Sequence, residues 1–308
     1  MSHAPNIKPQ SMDIRAALKE AMARLRAAEI ASHTLAAELL LMHTLGHDRT
    51  WLYTHPEEAL DSAAAEKYFA LVARRAAGEP VQYLTGKQEF WGLEFEVTPA
   101  VLIPRPESEH VIEVALERLG PLAFKHNPKT DLDNAPLRVA DVGTGSGCLA
   151  VALARELPHA EVFATDISAT ALEVARRNAA RHGVADRIHF LEANLLEGIA
   201  HSPLLFDLIV SNPPYVASNE AAELPREVRD HEPHSALFGG PTGVEIYARL
   251  VDQAGELLRS GGILVLELGH DSAEHVRSIF DADLRWMNVA ITIDLAGIPR
   301  VLAAERIA

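Results

Sequence analysis

A glycine-rich turn between a predicted strand and a predicted helix constrains the fold of this chain more than any other feature. The strand covers Leu137–Val142, the turn Gly143–Gly147 follows at once, and the helix continues to Leu157. Six further apolar segments have the length and residue types of strands: 161–165, 188–191, 206–211, 263–268, 289–293 and 299–303. Strands that alternate with helices predict an α/β fold with a doubly wound, mostly parallel sheet of seven strands.

The first 80 residues have a helical pattern instead. Apolar side chains recur at intervals of three and four from Met12 onward, over Leu35–Leu45, and from about Pro56 to Ala77. Between Gln88 and Ile103 the interval becomes two, which predicts a β-hairpin. The predicted domains are a small all-helical domain over residues 1–80, a hairpin linker over 81–104 and the α/β domain over 105–308. The segments predicted to be exposed and irregular are the first ten residues and Lys125–Pro136.

Charge and composition limit the partners of the chain. The sequence has 28 Lys and Arg against 43 Asp and Glu, a formal net charge of −15. Because such a body repels polyphosphate, we expect no direct nucleic-acid partner, while a protein partner stays open. The single cysteine, Cys148, cannot form a disulfide within the chain, and no apolar run reaches the ~18 residues that span a bilayer. These features predict a soluble cytoplasmic protein without a membrane partner.

The turn itself indicates a cofactor. Glycines at 143, 145 and 147 let the backbone approach a ligand closely, and the helix that follows presents its positive end. Asp166 ends the next predicted strand, where its carboxylate can accept hydrogen bonds from both hydroxyls of a ribose. The spacing G-x-G-x-G, with Thr144 and Ser146 between the glycines, is shorter than the dinucleotide pattern G-x-G-x-x-G. It therefore favours S-adenosylmethionine over NAD.

The segment Asn212-Pro213-Pro214-Tyr215 directly follows the fourth strand of the sheet, which places it beside the glycine turn. The two prolines stiffen the loop and have no N–H groups. The Asn212 side chain and the Pro213 carbonyl can accept both protons of a planar –NH2 group while Tyr215 stacks on its plane. These contacts would aim the nitrogen lone pair at a methyl donor, and water can remove the proton afterwards. We therefore predict methyl transfer to an amide or exocyclic amine without a general base.

The four residues Asn212–Tyr215 after such a sheet resemble the amino methyltransferases, which include protein-glutamine and DNA adenine-N6 enzymes. The rest of the chain is similar to the bacterial release factor glutamine methyltransferase family. The matching stretches are Ala77–Leu84, Glu89–Leu93, Val101–Glu107, Asp141–Cys148, His231–His234 and Asp294–Gly297. This resemblance implies a class I methyltransferase sheet and methylation at N5 of the glutamine in the Gly-Gly-Gln motif of class I peptide-chain release factors.

The resemblance also implies roles for particular residues. Gly143, Thr144, Gly145, Ser146, Gly147 and Asp166 would hold S-adenosylmethionine, and Asn212, Pro213, Pro214 and Tyr215 would hold the substrate glutamine. After the third strand the family commonly has an acidic residue and then an aromatic one, whereas this chain has Asn194 and Leu195. We expect the Asn194 amide and the Leu195 side chain to contact the adenine there.

Three alternative functions stay open from the sequence. A sister enzyme that methylates a glutamine of a ribosomal protein has the same Asn-Pro-Pro-Tyr segment. An adenine-N6 methyltransferase would need a basic groove, against which the charge of −15 argues. A cofactor-binding protein without activity is disfavoured by the intact segment.

Six other residues have two interpretations each. His231 and His234 flank Glu232, but nothing completes a metal site, so we expect a loop role and no metal. Cys148 at a helix start is interpreted as a packed residue rather than a catalytic thiol. Trp91, with its neighbour Phe90, is interpreted as part of the hairpin core rather than as lining of the substrate entrance. For Arg105 we weigh a structural ion pair against a place near the cofactor pocket.

Overall fold

The computed structural model describes residues 12–120, 136–199 and 205–307. The predicted tail, and the predicted loop from Lys125 up to residue 135, lie outside these residues. The chain forms two compact units, one with the residues up to Gly86 together with Arg226–His231, and one with Lys87–Pro225 and Glu232 onward. The hairpin thus belongs to the second unit. None of the helices within the described ranges has the length and apolar character needed to span a membrane.

Eleven α-helices occur in the described residues. They are α1 Ile14–Ala27, α2 His33–Leu45, α3 Arg49–Thr54, α4 Ser62–Ala76, α5 Val81–Thr85, α6 Glu109–Leu119, α7 Cys148–Glu156, α8 Ala169–Arg181, α9 Arg226–His231, α10 Glu245–Leu257 and α11 Ala273–Asp281. Asp13, Asp48 and Asp61 cap α1, α3 and α4, since each carboxylate accepts a hydrogen bond of 2.7 Å from the backbone N–H three residues on. The prediction that the third helix begins near Pro56 is wrong, because α4 begins only after the Asp61 cap.

The helical unit packs α1, α2 and α4 around one apolar core that contains Leu25, Leu40 and Tyr68. The Tyr68 hydroxyl lies inside this core and donates a 3.0 Å hydrogen bond to the Ala37 carbonyl. Helix α9 joins the unit through an ion pair, in which the mostly buried Arg75 contacts Glu227 at 2.6 Å. The domain predicted over residues 1–80 could not include α9, because this helix begins only at Arg226.

The eleven strands are β1 Lys87–Phe90, β2 Leu93–Glu96, β3 Arg138–Val142, β4 Glu161–Asp166, β5 Ile188–Glu192, β6 Phe206–Ser211, β7 Val216–Ala217, β8 Phe238–Gly240, β9 Leu258–Glu267, β10 Trp286–Ile293 and β11 Pro299–Arg306. Seven of them form one sheet in the order β10-β11-β9-β6-β3-β4-β5. The five strands from β9 to β5 are parallel, and β11 runs antiparallel to both of its neighbours. The predicted doubly wound, mostly parallel sheet is confirmed. The glycine pair Gly261–Gly262, interpreted as a turn before the fifth strand, lies inside β9, where the pairing with β6 shifts register.

Apolar side chains of the sheet alternate between two cores. Leu208 and Val210 of β6 face the core that α6 and α7 cover, whereas Phe206 and Ile209 face the core under α10 and α11. The chain goes from β3 to β4 on one side and later returns to β6 on the other side of β3. The carboxyl ends of β3 and β6 therefore flank the point where the strand order reverses, which is the usual ligand site of such sheets.

A single buried amide connects the hairpin to the glycine turn. The Asn178 side chain on α8 is fully buried, and its Oδ1 atom accepts a 2.7 Å hydrogen bond from the Glu96 N–H. Its Nδ2 atom donates to the carbonyls of Glu96, at 3.0 Å, and of Ser146, at 2.8 Å. The position of the glycine turn relative to α8 and β2 therefore depends on Asn178.

Replacing this amide gives a test of the fold. Asn178→Ala removes the partner of one buried and two partly buried backbone groups, so we expect the free energy of unfolding to fall by about 2–4 kcal/mol in urea denaturation. The control is Arg177→Ala on the same helix, which removes an exposed 2.8 Å ion pair with Glu96 and should cost below about 1 kcal/mol. Equal losses for the two variants would contradict the role of Asn178.

Candidate active site

A cavity of about 200 Å³ opens at the carboxyl ends of four adjacent parallel strands. The residues that line it at these ends are Gly143 and Gly145 after β3, Asp166 after β4, Asn194 and Leu195 after β5, and Asn212 and Pro214 after β6. The structure thus brings together predicted site residues from four separate strands.

The three glycines of the turn have different surroundings, although all adopt positive φ angles. A Cβ atom built on Gly143 or Gly145 would meet no atom within 4 Å, so both residues face open space in the cavity. A Cβ atom on Gly147 would lie 3.0 Å from the Cβ atom of Ala175, because α8 packs directly on this residue. Two glycines therefore leave room for a ligand, and the third leaves room for a helix.

The turn is held from inside by a residue that the sequence analysis did not single out. Asp141 is fully buried in β3, and its Oδ2 atom accepts hydrogen bonds from the Thr144 hydroxyl at 2.6 Å and the Ala150 N–H at 3.0 Å. Burial raises the pKa of the Asp141 carboxyl to about 7, and these two hydrogen bonds oppose that effect. A charged residue inside an otherwise apolar strand is the sequence signal that could have identified it. Thr144 and Ser146 are buried and do not line the cavity.

Asp166 lies between the turn and the following helix. Its Oδ2 atom accepts a 2.8 Å hydrogen bond from the Gly145 N–H, and its Oδ1 atom accepts one of 2.9 Å from the Ser168 N–H. Burial raises the pKa of the Asp166 carboxyl, and these backbone hydrogen bonds act in the opposite direction. Each carboxylate oxygen has a second lone pair, so the group can still accept two hydroxyl hydrogen bonds.

The lining of the cavity fits a nucleoside with a positively charged sulfonium. Gly143 and Gly145 provide a backbone cradle without side chains, and Asp166 provides a carboxylate at the position that suits a ribose. The apolar side chains of Val101, Leu102, Ile167 and Leu195 also line the cavity. Leu195 has a φ angle of 58°, an uncommon conformation for a residue with a side chain. The contacts predicted for Asn194 and Leu195 with the adenine stay a prediction.

The Asn-Pro-Pro-Tyr loop is fixed by hydrogen bonds at both ends. Just before it, the Ser211 hydroxyl donates a 2.7 Å hydrogen bond to the Val142 carbonyl of β3. Just after it, the Val216 N–H donates to the Leu237 carbonyl at 2.9 Å, next to the short parallel pair of β7 and β8. The Asn212 Nδ2 atom donates a 3.0 Å hydrogen bond to the Ser108 hydroxyl. The loop is therefore held at its start, at its side chain and at its end.

Three glycines, Gly239, Gly243 and Gly269, pack against this loop. A Cβ atom on Gly239 would lie 2.5 Å from the Pro214 carbonyl oxygen, and one on Gly269 would lie 2.6 Å from the ring of Tyr215. Pro213 is buried, and neither it nor Tyr215 lines the cavity. Burial, with a smaller contribution from Glu267, raises the pKa of the Tyr215 phenol to about 12, so it stays neutral at physiological pH. The predicted stacking of Tyr215 on the substrate stays a prediction.

Arg105 forms an ion pair with Glu232, the residue that follows His231 in the chain. The Arg105 guanidinium contacts the buried carboxylate of Glu232, which also accepts a 3.3 Å hydrogen bond from the Ile103 N–H. The structure thus gives Arg105 a structural ion pair, while Pro233 lines the cavity. His234 packs edge-on against the Phe238 ring at 5.3 Å. Within the described ranges, no three His, Cys, Asp or Glu side chains are grouped as metal ligands.

Three further residues from the sequence analysis, Cys148, Phe90 and Trp91, belong to an apolar core or pack against it. Cys148 packs against the core below α6 and α7, and burial raises the pKa of its thiol to about 12. Phe90 is a core residue of the hairpin. Trp91 forms the hairpin turn, where its backbone N–H donates to Glu109 at 2.7 Å and its indole N–H donates to Glu156 at 2.8 Å. None of the three lines the cavity.

Comparisons with known proteins identify the family of the chain. Residues 16–86 match the family model described as the PrmC N-terminal domain, and residues 129–227 match the methyltransferase small domain. A release factor glutamine methyltransferase from Koribacter versatilis is 44% identical over 96% of this chain and 99% of its own length. One from Chlorobaculum tepidum is 46% identical over 88% of this chain and 90% of its own length.

The chain belongs to the release factor glutamine methyltransferase family. Its membership in this family confirms the predicted methyltransferase fold, the enzyme class and S-adenosylmethionine as the methyl donor. A solved structure of the hMettl16 catalytic domain in complex with MAT2A 3′UTR hairpin 1 aligns with a TM-score of 0.55. It is 16% identical and covers 82% of this chain and 86% of that chain, a likeness that concerns the fold alone.

The different surroundings of the glycines predict different effects in this family member. Gly145→Ala places a methyl group in the cavity and strains a left-handed residue, so we expect the affinity for S-adenosylmethionine to fall about 10-fold or more in calorimetry. Gly147→Ala presses on Ala175, and we expect it to lower the free energy of unfolding more than Gly145→Ala does. Wild-type affinity in a folded Gly145→Ala variant would exclude this glycine from the cofactor site.

Proposed function

We propose that this chain transfers a methyl group from S-adenosylmethionine to the side-chain amide nitrogen, N5, of the glutamine in the Gly-Gly-Gln motif of class I peptide-chain release factors. The observation that carries the proposal is the shared cavity of the glycine turn and the Asn-Pro-Pro-Tyr loop. Relatives with 44% and 46% identity, named release factor glutamine methyltransferases, support the amide of a release factor as the acceptor.

The cofactor site we propose has three parts. Gly143 and Gly145 form the backbone cradle, with Thr144, Ser146 and Gly147 giving the turn its shape, and Asp166 accepts hydrogen bonds from the ribose. Asn194 and Leu195 contact the adenine. S-adenosylmethionine supplies an electrophilic methyl group on its sulfonium.

The substrate site we propose consists of the loop Asn212–Tyr215. An amide nitrogen is a poor nucleophile because its lone pair is delocalised into the carbonyl. The Asn212 Oδ1 atom and the Pro213 carbonyl accept hydrogen bonds from the two N–H groups, which favours a pyramidal nitrogen with a directed lone pair. The Tyr215 ring and Pro214 restrict the plane of the amide. The loop lowers the activation barrier by positioning the amide. Its backbone and its contacts with the glycines are already fixed before the substrate binds.

No general base is required by this chemistry. The nitrogen becomes acidic only when it carries the new methyl group, and its proton then passes to water. The Tyr215 phenol, with a pKa of about 12, is neutral and cannot take up that proton at neutral pH. The net charge of −15 disfavours nucleic acid, so it favours a protein substrate over an adenine. We propose a cytoplasmic enzyme without membrane or nucleic-acid partners.

We also propose that the helical unit binds the release factor. An open groove of about 1030 Å³ runs along α1, with an apolar floor that includes Leu18 and Met22. The cationic side chains of Arg15, Lys19 and Arg26 line it, and its lining among the described residues contains no carboxylate. In a chain with an excess of acidic residues, this groove suits an acidic, partly apolar segment of a protein partner.

Mass spectrometry of the glutamine in purified release factors, after incubation with enzyme and S-adenosylmethionine, tests the function. We expect a gain of one methyl group on that glutamine with the wild type. Asn212→Ala should lower the single-turnover rate on the order of 10²-fold or more, because an acceptor that orients the amide is lost. Asn212→Asp keeps an acceptor oxygen but adds charge beside the sulfonium, so we expect tight cofactor binding with poor turnover. Methylation of a ribosomal protein or of DNA in place of the release factor would refute the proposal.

The groove can be tested separately from the chemistry. Lys19→Glu combined with Arg26→Glu reverses two charges in the groove, and we expect KM for intact release factor to rise about 10-fold. Calorimetry should find the affinity for S-adenosylmethionine unchanged. The control is Lys67→Glu, an exposed charge on α4 that does not line the groove. A KM equal to that of the control would exclude the groove from substrate binding.

A further inference from the structure

Glu267 is a buried carboxylate that the proposed chemistry does not use. It ends β9 and is 2% exposed, and its Oε2 atom has no hydrogen-bond partner among the described residues. The parallel pairing of β6 with β9 aligns Ser211 with Leu266, so Asn212, just after β6, lies beside Glu267, the last residue of β9. Buried carboxylates with incomplete partners are costly to a fold and concentrate at functional sites.

Ser108 connects these two residues. It is buried at the end of a 3₁₀ turn, Pro106–Ser108, and its Oγ atom accepts the 3.0 Å hydrogen bond from the Asn212 Nδ2 atom. The same hydroxyl faces the Glu267 carboxylate and, as a hydrogen-bonding neighbour, lowers the pKa of that carboxyl. A serine hydroxyl has one proton and two lone pairs, so it can accept from one neighbour while it donates to the other.

The charged carboxylate of Glu267 determines which group donates and which accepts along Asn212, Ser108 and Glu267. An ionised carboxylate only accepts hydrogen bonds, so Ser108 donates its single proton to Glu267 and presents a lone pair to Asn212. Asn212 must then turn its –NH2 group toward Ser108, which leaves the Oδ1 atom as the free acceptor. The alternative orientation of the amide would place two lone-pair acceptors, Oδ1 and Ser108 Oγ, against each other.

We propose that Ser108 and Glu267 are positioning residues that fix the orientation of the Asn212 amide, so that its Oδ1 atom accepts the hydrogen bond of the substrate glutamine. This inference rests on the proposed function, because it assigns a polarity to the amide contact by which Asn212 holds the acceptor nitrogen. Neither residue needs to touch the substrate.

The charge state of Glu267 gives the arrangement a dependence on pH. Burial raises the pKa of its carboxyl to about 7; the cations Arg300 and Arg105 oppose this effect, and Glu107 adds to it. The other titratable groups that face it are Tyr215, Tyr247 and Cys148. Below about pH 7 the protonated Glu267 can donate to Ser108, whose own proton is then free for the Asn212 Oδ1 atom. The amide loses its fixed orientation, so the rate of methyl transfer should fall as the pH drops through this value.

Variants of Ser108 test the positioning role. We expect Ser108→Ala to lower the single-turnover rate about 10- to 100-fold while KM for release factor stays within about twofold. Ser108→Thr keeps the hydroxyl and should recover most of the rate. The control is Thr44→Ala, which removes a partly buried hydroxyl that hydrogen-bonds the Leu40 carbonyl within α2 and lines neither the cavity nor the groove; it should leave the rate unchanged. If Ser108→Ala does not fold, Ser108→Cys keeps the volume with a poor hydrogen-bonding group and takes its place.

Glu267→Gln tests the charge. Its side-chain amide can accept from Ser108 or donate to it, so we expect a lower rate that no longer changes between about pH 6 and pH 8, whereas the wild-type rate rises about 5-fold or more over that range. A wild-type rate in Ser108→Ala, or a wild-type pH profile in Glu267→Gln, overturns the positioning role. Failure of the wild-type enzyme to methylate release factor in the same assay would instead refute the proposed function.

Discussion

The parallel pairing of β3 with β6 is the interaction on which the rest of the site depends. It aligns Val142 with Ser211, and the Ser211 hydroxyl adds a side-chain hydrogen bond to the Val142 carbonyl across the same two strands, 69 residues apart in the chain. Because both strands end at the same edge, the glycine turn and the Asn-Pro-Pro-Tyr loop emerge next to each other. A methyl donor and a methyl acceptor can be brought together only if this register holds. A slip by one residue would turn Asn212 to the opposite face of the sheet.

The features that the sequence predicted well are those with a local signal. Apolar runs of strand length, the glycine spacing from Gly143 to Gly147 and the two prolines after Asn212 can each be recognised within a few residues. They sufficed for the sheet, the order of its strands along the chain and the lining of the cavity by Asp166 and Asn212. The resemblance to a family added the substrate, which no local pattern identifies.

The features that were missed depend on contacts between distant residues or on competition between local signals. Ser108 and Asn212 are 104 residues apart, and nothing in either segment indicates that one holds the other. Asp141 and Glu267 lie among apolar strand residues. The sequence does not show which groups bind these two carboxylates, so their roles could not be predicted. The start of α4 was misplaced because the apolar spacing continues backward through the irregular residues before Asp61, and the spacing alone does not reveal that Asp61 is the cap. These features are determined by tertiary contacts, which cannot be recognised in a short segment of sequence.

The assignment of α9 to the helical unit makes that unit discontinuous in sequence. The chain leaves the α/β unit after Pro225, contributes six residues to the helical unit and returns at Glu232, the residue that pairs with Arg105. Three peptide bonds therefore cross between the units, where a simple N-terminal domain would have one. A fragment that ends at Gly86 lacks the partner of Arg75, and a fragment that begins at Lys87 carries α9 without its own unit. A helical fragment that ends at residue 86 therefore leaves Arg75 without its ion-pair partner Glu227, a loss that a domain boundary at residue 86 does not reveal.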